Sequence, residues 1–209
     1  MCFAQPNDDH HHFQREKLNF MFRLAILGSG SGSNAKNLLE YFAASNEIEI
    51  GLIAHNKSNI GIVQHALDFN IPTYLLTKEN FQLSDNFLQH LIENKIDWII
   101  LAGFLWKLPV SLCQRYSDKI LNIHPSLLPK YGGKGMYGHH VHEAVFHAHE
   151  KESGITIHLV NEEYDKGAIV FQATTSLTPK DTPSTIEQKV RALEIQHFPH
   201  IVEQTILAK

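Results

Sequence analysis

From residue 22 onward the chain alternates short apolar runs with longer amphipathic stretches. Residues 22–27 (FRLAIL) are mostly apolar and stop abruptly at Gly28, which predicts a buried strand. Leu38, Leu39 and Phe42 then fall at helical spacing within residues 34–42. Residues 48–54 form a second β-rich run, 60–69 a second helical pattern and 72–76 a brief third strand. A further helix contains residues 87–92 and ends near Asn94. Residues 98–102 (WIILA), the most apolar run of the chain, predict the central strand, ahead of Gly103. A helix from about Pro109 leads to a fifth strand at 120–123, which ends in polar and proline residues. Buried strands alternating with amphipathic helices predict an α/β fold with a parallel, doubly wound sheet.

The second half differs. A Gly-rich loop at 131–138 precedes a helix from about His139 to Ala148. Residues 154–160 and 168–176 then read as two antiparallel strands joined by a turn at Asp165-Lys166-Gly167. A final helix, N-capped by Asp181 or Thr182, runs through Leu207. Seven strands and about six helices, with no linker or repeat, predict one domain over residues 22–209. Residues 1–21 read as a flexible N-terminal extension without assigned function, its run His10-His11-His12 solvated.

Composition narrows the function. The formal charge of −4 supplies no cationic field for nucleic acid, although a local site can still hold a small anion. Cys2 and Cys113 are far apart and in no metal-like spacing, so they read as free thiols of a reducing compartment. No apolar run approaches the ~20 residues that span a bilayer, and the polar start has no signal-peptide character. The expected location is the cytoplasm. His139, His140, His142, His147 and His149 lack HExxH or paired-cysteine company, so they read as a polar helix face beside a pocket and no metal is expected.

Two segments carry candidate chemistry. Ser29-Gly30-Ser31-Gly32-Ser33-Asn34 lies between the first strand and first helix, where open parallel sheets bind ligands. Small residues admit an anion to the backbone, and the helix start adds free N–H groups. The dinucleotide fingerprint is incomplete: Ser33 replaces its third glycine, and His55-Asn56-Lys57 stands where its acidic residue belongs. No Walker lysine follows either, which leaves a monophosphate cradle. The second segment is Asn122-Ile123-His124-Pro125 at the end of the fifth strand. Alternation puts Asn122 and His124 on one face, where an amide and an imidazole can hold an oxyanion and pass a proton. Asp165, in the later turn, can orient His124 or accept an amine's proton. No protein nucleophile accompanies them, so the substrate brings its own, as an amine does.

These motifs resemble those of the glycinamide ribonucleotide formyltransferases, in the folate-dependent formyltransferase superfamily. The resemblance covers residues 22–207 and rests on SGSGSN at 29–34, LAGFLWKLP at 101–109 with NIHPSLLPKY at 122–131, and EYDKGAIVFQ at 163–172. It implies a Rossmann-like formyltransferase fold: a single mixed, mostly parallel seven-stranded sheet with helices on both faces. It further implies that Asn122 and His124 polarise the formyl group and that Asp165 assists proton transfer. Gly32, Ser33, Asn34 and Arg191 resemble the phosphate contacts, Glu194 the ribose ligand, and Gly103 lies near the substrate amine. Phe104, Leu105, Trp106, Lys107 and Leu108 border the pterin, together with Val160, Asn161, Glu162, Glu163 and Tyr164. His158 matches a family histidine outside direct substrate contact. Trp106-Lys107 replaces an arginine-containing segment of relatives, and residues 132–138 are unusually rich in glycine.

The implied activity is formyl transfer from 10-formyltetrahydrofolate to the amine of glycinamide ribonucleotide, in purine synthesis, by a monomer or homodimer. A formyltetrahydrofolate hydrolase is one alternative, but such enzymes usually carry a further N-terminal domain, for which residues 1–21 are too few. A non-catalytic ribosyl-phosphate sensor is another, opposed by the intact trio. A methionyl-tRNA formyltransferase would need an extra C-terminal domain and a basic surface.

Overall fold

A computed structural model of the chain describes residues 21–58 and 61–209. The expectations for the N-terminal extension, apart from Met21, lie outside the described residues. The elements run β1 (Phe22–Gly28), α1 (Ser33–Phe42), β2 (Ile48–His55), α2 (Gly61–Asp68), β3 (Thr73–Leu75), α3 (Lys78–Phe81), α4 (Asn86–Glu93), β4 (Trp98–Leu101) and α5 (Val110–Arg115). They continue with β5 (Ile120–His124), α6 (His139–His147), β6 (Glu152–Leu159), β7 (Ile169–Ser176) and α7 (Pro183–Leu207).

One seven-stranded sheet has the order β3-β2-β1-β4-β5-β6-β7, with the predicted central strand, β4, in the middle. The first five strands pair in parallel, and β6 and β7 add antiparallel pairs. Because successive side chains of a strand point to opposite faces, the buried runs fill two cores. Leu24, Ile26, Trp98 and Ile100 pack on one face with α1, α2 and α7. Ala25, Leu27, Ile99 and Leu101 pack on the other with α3, α4 and α5. Burial on both faces is why these strands are continuously apolar rather than alternating.

Helix α3 was not expected. At four residues it is too short to show a hydrophobic period, and it forms because Thr77 and Asn80 make a reciprocal capping box while Phe81 buries itself. In α7, Thr182 proves to be the N-cap. Pro199 within α7 has no N–H to offer the carbonyl of Ile195. The side-chain amide of Asn37 on α1 donates to that carbonyl instead, at 2.9 Å. This contact holds α7 against α1 one residue beyond Glu194. No described helix is long and apolar enough to cross a membrane.

Candidate active site

The chain turns left from β1 to β2 and crosses over to β4 on the other side, so the loops after β1 and β4 diverge. Such a topological switch point opens a crevice at the carboxyl ends of the strands. The two loops are stitched at their base: Ser29 N–H donates to the Gly103 carbonyl (3.1 Å), and Ser29 Oγ accepts from Leu105 N–H (3.1 Å). Above them lies a cavity of about 500 Å³.

At one end of the cavity stand Ser31, Ser33 and Asn34, at the start of α1, facing Arg191 and Glu194 of α7. Gly32 does not itself line the cavity; it caps the helix with φ of 79°. A Cβ at Gly32 would lie 2.7 Å from the Cα of Ile62, and one at Gly61 would collide with the carbonyl oxygen of Ser31. These two glycines let the start of α2 pack directly beneath the loop. Asn34 Nδ2 donates to Glu194 Oε2 at 2.9 Å across 160 residues of sequence. Burial raises the Glu194 carboxyl above its ordinary range, against the Asn34 hydrogen bond and the charge of Arg191. Arg191 and Lys134, both lining the cavity, make no hydrogen bond or salt bridge among the described residues. His55, at the fingerprint's acidic position, is turned inward, with Nδ1 2.7 Å from the Lys57 carbonyl.

At the other end stand Asn122, His124 and Asp165, with Gly103, Phe104 and Leu105 beside them. His124 Nε2 lies 2.8 Å from the Tyr131 carbonyl. A carbonyl only accepts, so Nε2 carries the hydrogen and Nδ1 the working lone pair. That Nδ1 stands 3.7 Å from Asp165 Oδ1. Burial pushes the His124 imidazole below its ordinary pKa of 6.5, opposed by the Asp165 charge and the Tyr131 carbonyl. Burial alone would raise Asp165, but His158, His124 and the Gly133 N–H (2.7 Å to Oδ2) together hold it below the usual carboxylate range.

Antiparallel pairing sets Asn122 opposite His158 and His124 opposite Thr156. His158 Nδ1 lies 2.9 Å from the Leu159 carbonyl, so Nδ1 is the donor and Nε2 the acceptor in the neutral ring. Asn122 Nδ2 donates to that Nε2 at 3.0 Å, which fixes the amide and leaves its second N–H available. The same Nε2 faces Asp165 Oδ1 at 3.6 Å. Thr156, fully buried, accepts from Leu128 N–H (3.0 Å) and donates to the Ser126 carbonyl (2.6 Å). It thereby clamps the loop that follows His124.

A narrower pocket adjoins the cavity through shared residues Phe104, Asn122, Tyr164 and Asp165. Trp106, Lys107 and Leu108 line it, as do Val160, Asn161, Glu162 and Glu163. Phe81 of α3 packs on Phe104 (5.5 Å between ring centroids) and Trp106 (6.0 Å), building an aromatic wall behind it. Sequence reasoning missed Phe81, Lys134, Glu187 and the particular placement of His142. The capping pair Thr77-x-x-Asn80 was the one local signal for Phe81. Among the described residues no group of three or more His, Cys, Asp or Glu is placed to hold a metal.

The profile of the formyl transferase family matches residues 22–202. The chain belongs to the formyl transferase family. It is 37% identical over 186 residues to the chloroplastic phosphoribosylglycinamide formyltransferase of Arabidopsis thaliana, covering 86% of this chain and 64% of that protein. The chain therefore spans just under two thirds of the plant relative's length. It is 34% identical over 188 residues to the phosphoribosylglycinamide formyltransferase of Haemophilus influenzae, covering 88% of this chain and 86% of that one. The crystal structure of phosphoribosylglycinamide formyltransferase from Bacillus halodurans superposes with a TM-score of 0.79 at 31% identity, covering 87% of this chain and 94% of that one. A formyl transferase fold accounts for the mixed sheet, whose antiparallel β6 brings His158 and the Asp165 turn beside β5.

Proposed function

We propose that this formyl transferase moves the formyl group of 10-formyltetrahydrofolate onto the amine of glycinamide ribonucleotide, in purine synthesis. The observation that carries this reading is the single cavity joining an anion nest with free cations to an amide, an imidazole and a carboxylate. The similarity to two phosphoribosylglycinamide formyltransferases supports the choice of substrates. The phosphate is held by Ser33, Asn34 and the backbone of residues 31–34, with Arg191, and Glu194 takes the ribose hydroxyls. The folate lies along the adjoining pocket, against Phe104, Trp106 to Leu108 and Val160 to Tyr164, with Leu105 on the cavity side, and Gly103 borders the reacting amine.

The amine nitrogen attacks the formyl carbon, and the carbonyl electron pair moves to oxygen. The free N–H of the Asn122 amide donates to that oxygen. Asp165, held as a carboxylate, takes the proton released by the attacking nitrogen. That proton passes on to His124 Nδ1, which stands 3.7 Å from the Asp165 carboxylate, and the N–H so formed turns toward the same oxygen. When the tetrahedral carbon collapses, its bond to the folate nitrogen breaks and that nitrogen receives the proton. The protein supplies no nucleophile and needs none. We read the enzyme as a small-molecule catalyst of the cytoplasm, a reading supported by its buried free thiol Cys113.

The test is an assay of folate product with and without the ribonucleotide. Product is expected only when glycinamide ribonucleotide is present. Equal release in its absence would mean that water is the acceptor and would overturn the assignment.

A further inference from the structure

One wall of the cavity has no part in the chemistry above. His142 on α6 lines the cavity and is only 3% exposed, and its Nδ1 is buried without a hydrogen-bond partner. An imidazole in either tautomer carries a donor and an acceptor. Leaving such groups unpaired in a folded protein is unfavourable and uncommon. The neighbouring histidines of the helix behave differently. His139 approaches Glu143 and Glu187, each at 3.4 Å, and His140 approaches Glu143 at 3.6 Å, both histidines being exposed and both carboxylates half-buried. Neighbouring carboxylates thus engage the outer histidines, while the inner one is left facing the space that a ligand would fill.

The position of His142 in the cavity limits what that ligand group can be. Electrostatically, His142 is felt by Glu187 of α7, His139 of α6 and His124 of β5. It therefore lies between the α7 side of the cavity and the reacting end. Burial keeps its ring below the ordinary imidazole pKa, against the pull of Glu187, so it is neutral at neutral pH. A neutral imidazole donates once and accepts once, which suits a hydroxyl or an amide. A phosphate is better served by the unpaired Arg191 and Lys134.

We propose that His142 is a substrate-binding residue, hydrogen-bonding the neutral stretch of the ribonucleotide between its phosphate and its amine. The proposal rests on the assigned substrate. It makes His142 a group left unsatisfied in the free protein so that the ligand can complete it, which reverses the usual effect of replacing a buried polar residue.

The experiment compares wild type with His142→Leu and His142→Gln, using glycinamide ribonucleotide as the probe. Thermal melting without ligand is expected to show His142→Leu as stable as wild type or more so. Calorimetry is expected to show its ribonucleotide Kd raised about tenfold or more. In steady state the ribonucleotide KM rises in parallel, while the formyl-folate KM and kcat stay within about threefold. His142→Gln, which can still donate and accept, recovers part of the binding. A lowered melting temperature with unchanged ribonucleotide binding would make His142 a structural residue and overturn the proposal. A collapse of kcat at unchanged KM would overturn it too, by moving His142 into the proton transfer. If wild type itself fails to bind the ribonucleotide, the substrate assignment has failed before His142 is tested.

Discussion

At the scale of single residues, the site turns on which nitrogen carries a hydrogen. The Tyr131 carbonyl selects the donor of His124, and the Leu159 carbonyl selects that of His158. Each choice then dictates what the opposite ring nitrogen can do. Asn122→Ala removes an oxyanion donor and is expected to lower kcat by ~10²–10³ while ribonucleotide binding by calorimetry stays near wild type. Near-normal turnover in that variant is incompatible with the mechanism. His158 acts through Asn122, so an acceptor at the same place should serve. His158→Gln is expected to keep several-fold more kcat than His158→Leu, with the KM values of both variants close to wild type. Equal losses in the two would show that the histidine only fills space. None of these pairings was legible in the chain. Asn122 and His158 are 36 residues apart, and the register of β5 against β6 alone sets them side by side.

At the scale of elements, the loops carry the chemistry and the packing beneath them holds the loops. Thr156 satisfies two backbone groups of the segment after His124. Thr156→Val keeps the shape but strands the Leu128 N–H and the Ser126 carbonyl, at a cost of about 1–3 kcal/mol each. The expected result is a melting temperature several degrees lower and a larger loss of kcat than of substrate binding, measured by calorimetry and steady-state kinetics. At the other end, Gly32 combines a left-handed φ with the close approach of Ile62. Gly32→Ala is expected to cost about 1–3 kcal/mol and to weaken ribonucleotide binding, because the start of α1 must move. Unchanged affinity in a folded Gly32→Ala protein would detach the phosphate site from this helix. The strands and long helices were readable because buried strands and helical stripes leave periodic marks. Helix α3 was not, since a single turn has no period and its aromatic partners come from the β4–α5 loop.

At the scale of the whole molecule, the buried imidazoles give the fold a defined response to acid. Burial lowers the pKa of both His124 and His142 from 6.5 in the folded protein. Below pH 6.5 the unfolded chain therefore binds protons that the folded chain refuses, and stability falls as pH falls until the folded pKa values are reached. Each group contributes up to about 1.4 kcal/mol per pH unit within that window. Denaturant titrations between pH 8 and pH 5 should show stability level above pH 7 and declining below 6.5, with a shallower decline in His142→Leu. Because the raised Glu194 carboxyl works in the opposite sense, the comparison of the two proteins decides: identical slopes for wild type and His142→Leu would contradict the burial of that ring. By itself the sequence determined the order of the elements, the central place of β4, and the segments that hold the nest and the trio. Those are local properties, carried by hydrophobic period, by glycines after strands and by residue chemistry. Only the tertiary structure decided that Asn34 meets Glu194 and that Phe81 backs the second pocket. It alone left His142 unpartnered and gave Asn122 a histidine to orient it. Those facts depend on strand register and on helices crossing distant stretches of chain, and neither leaves a periodic trace along it.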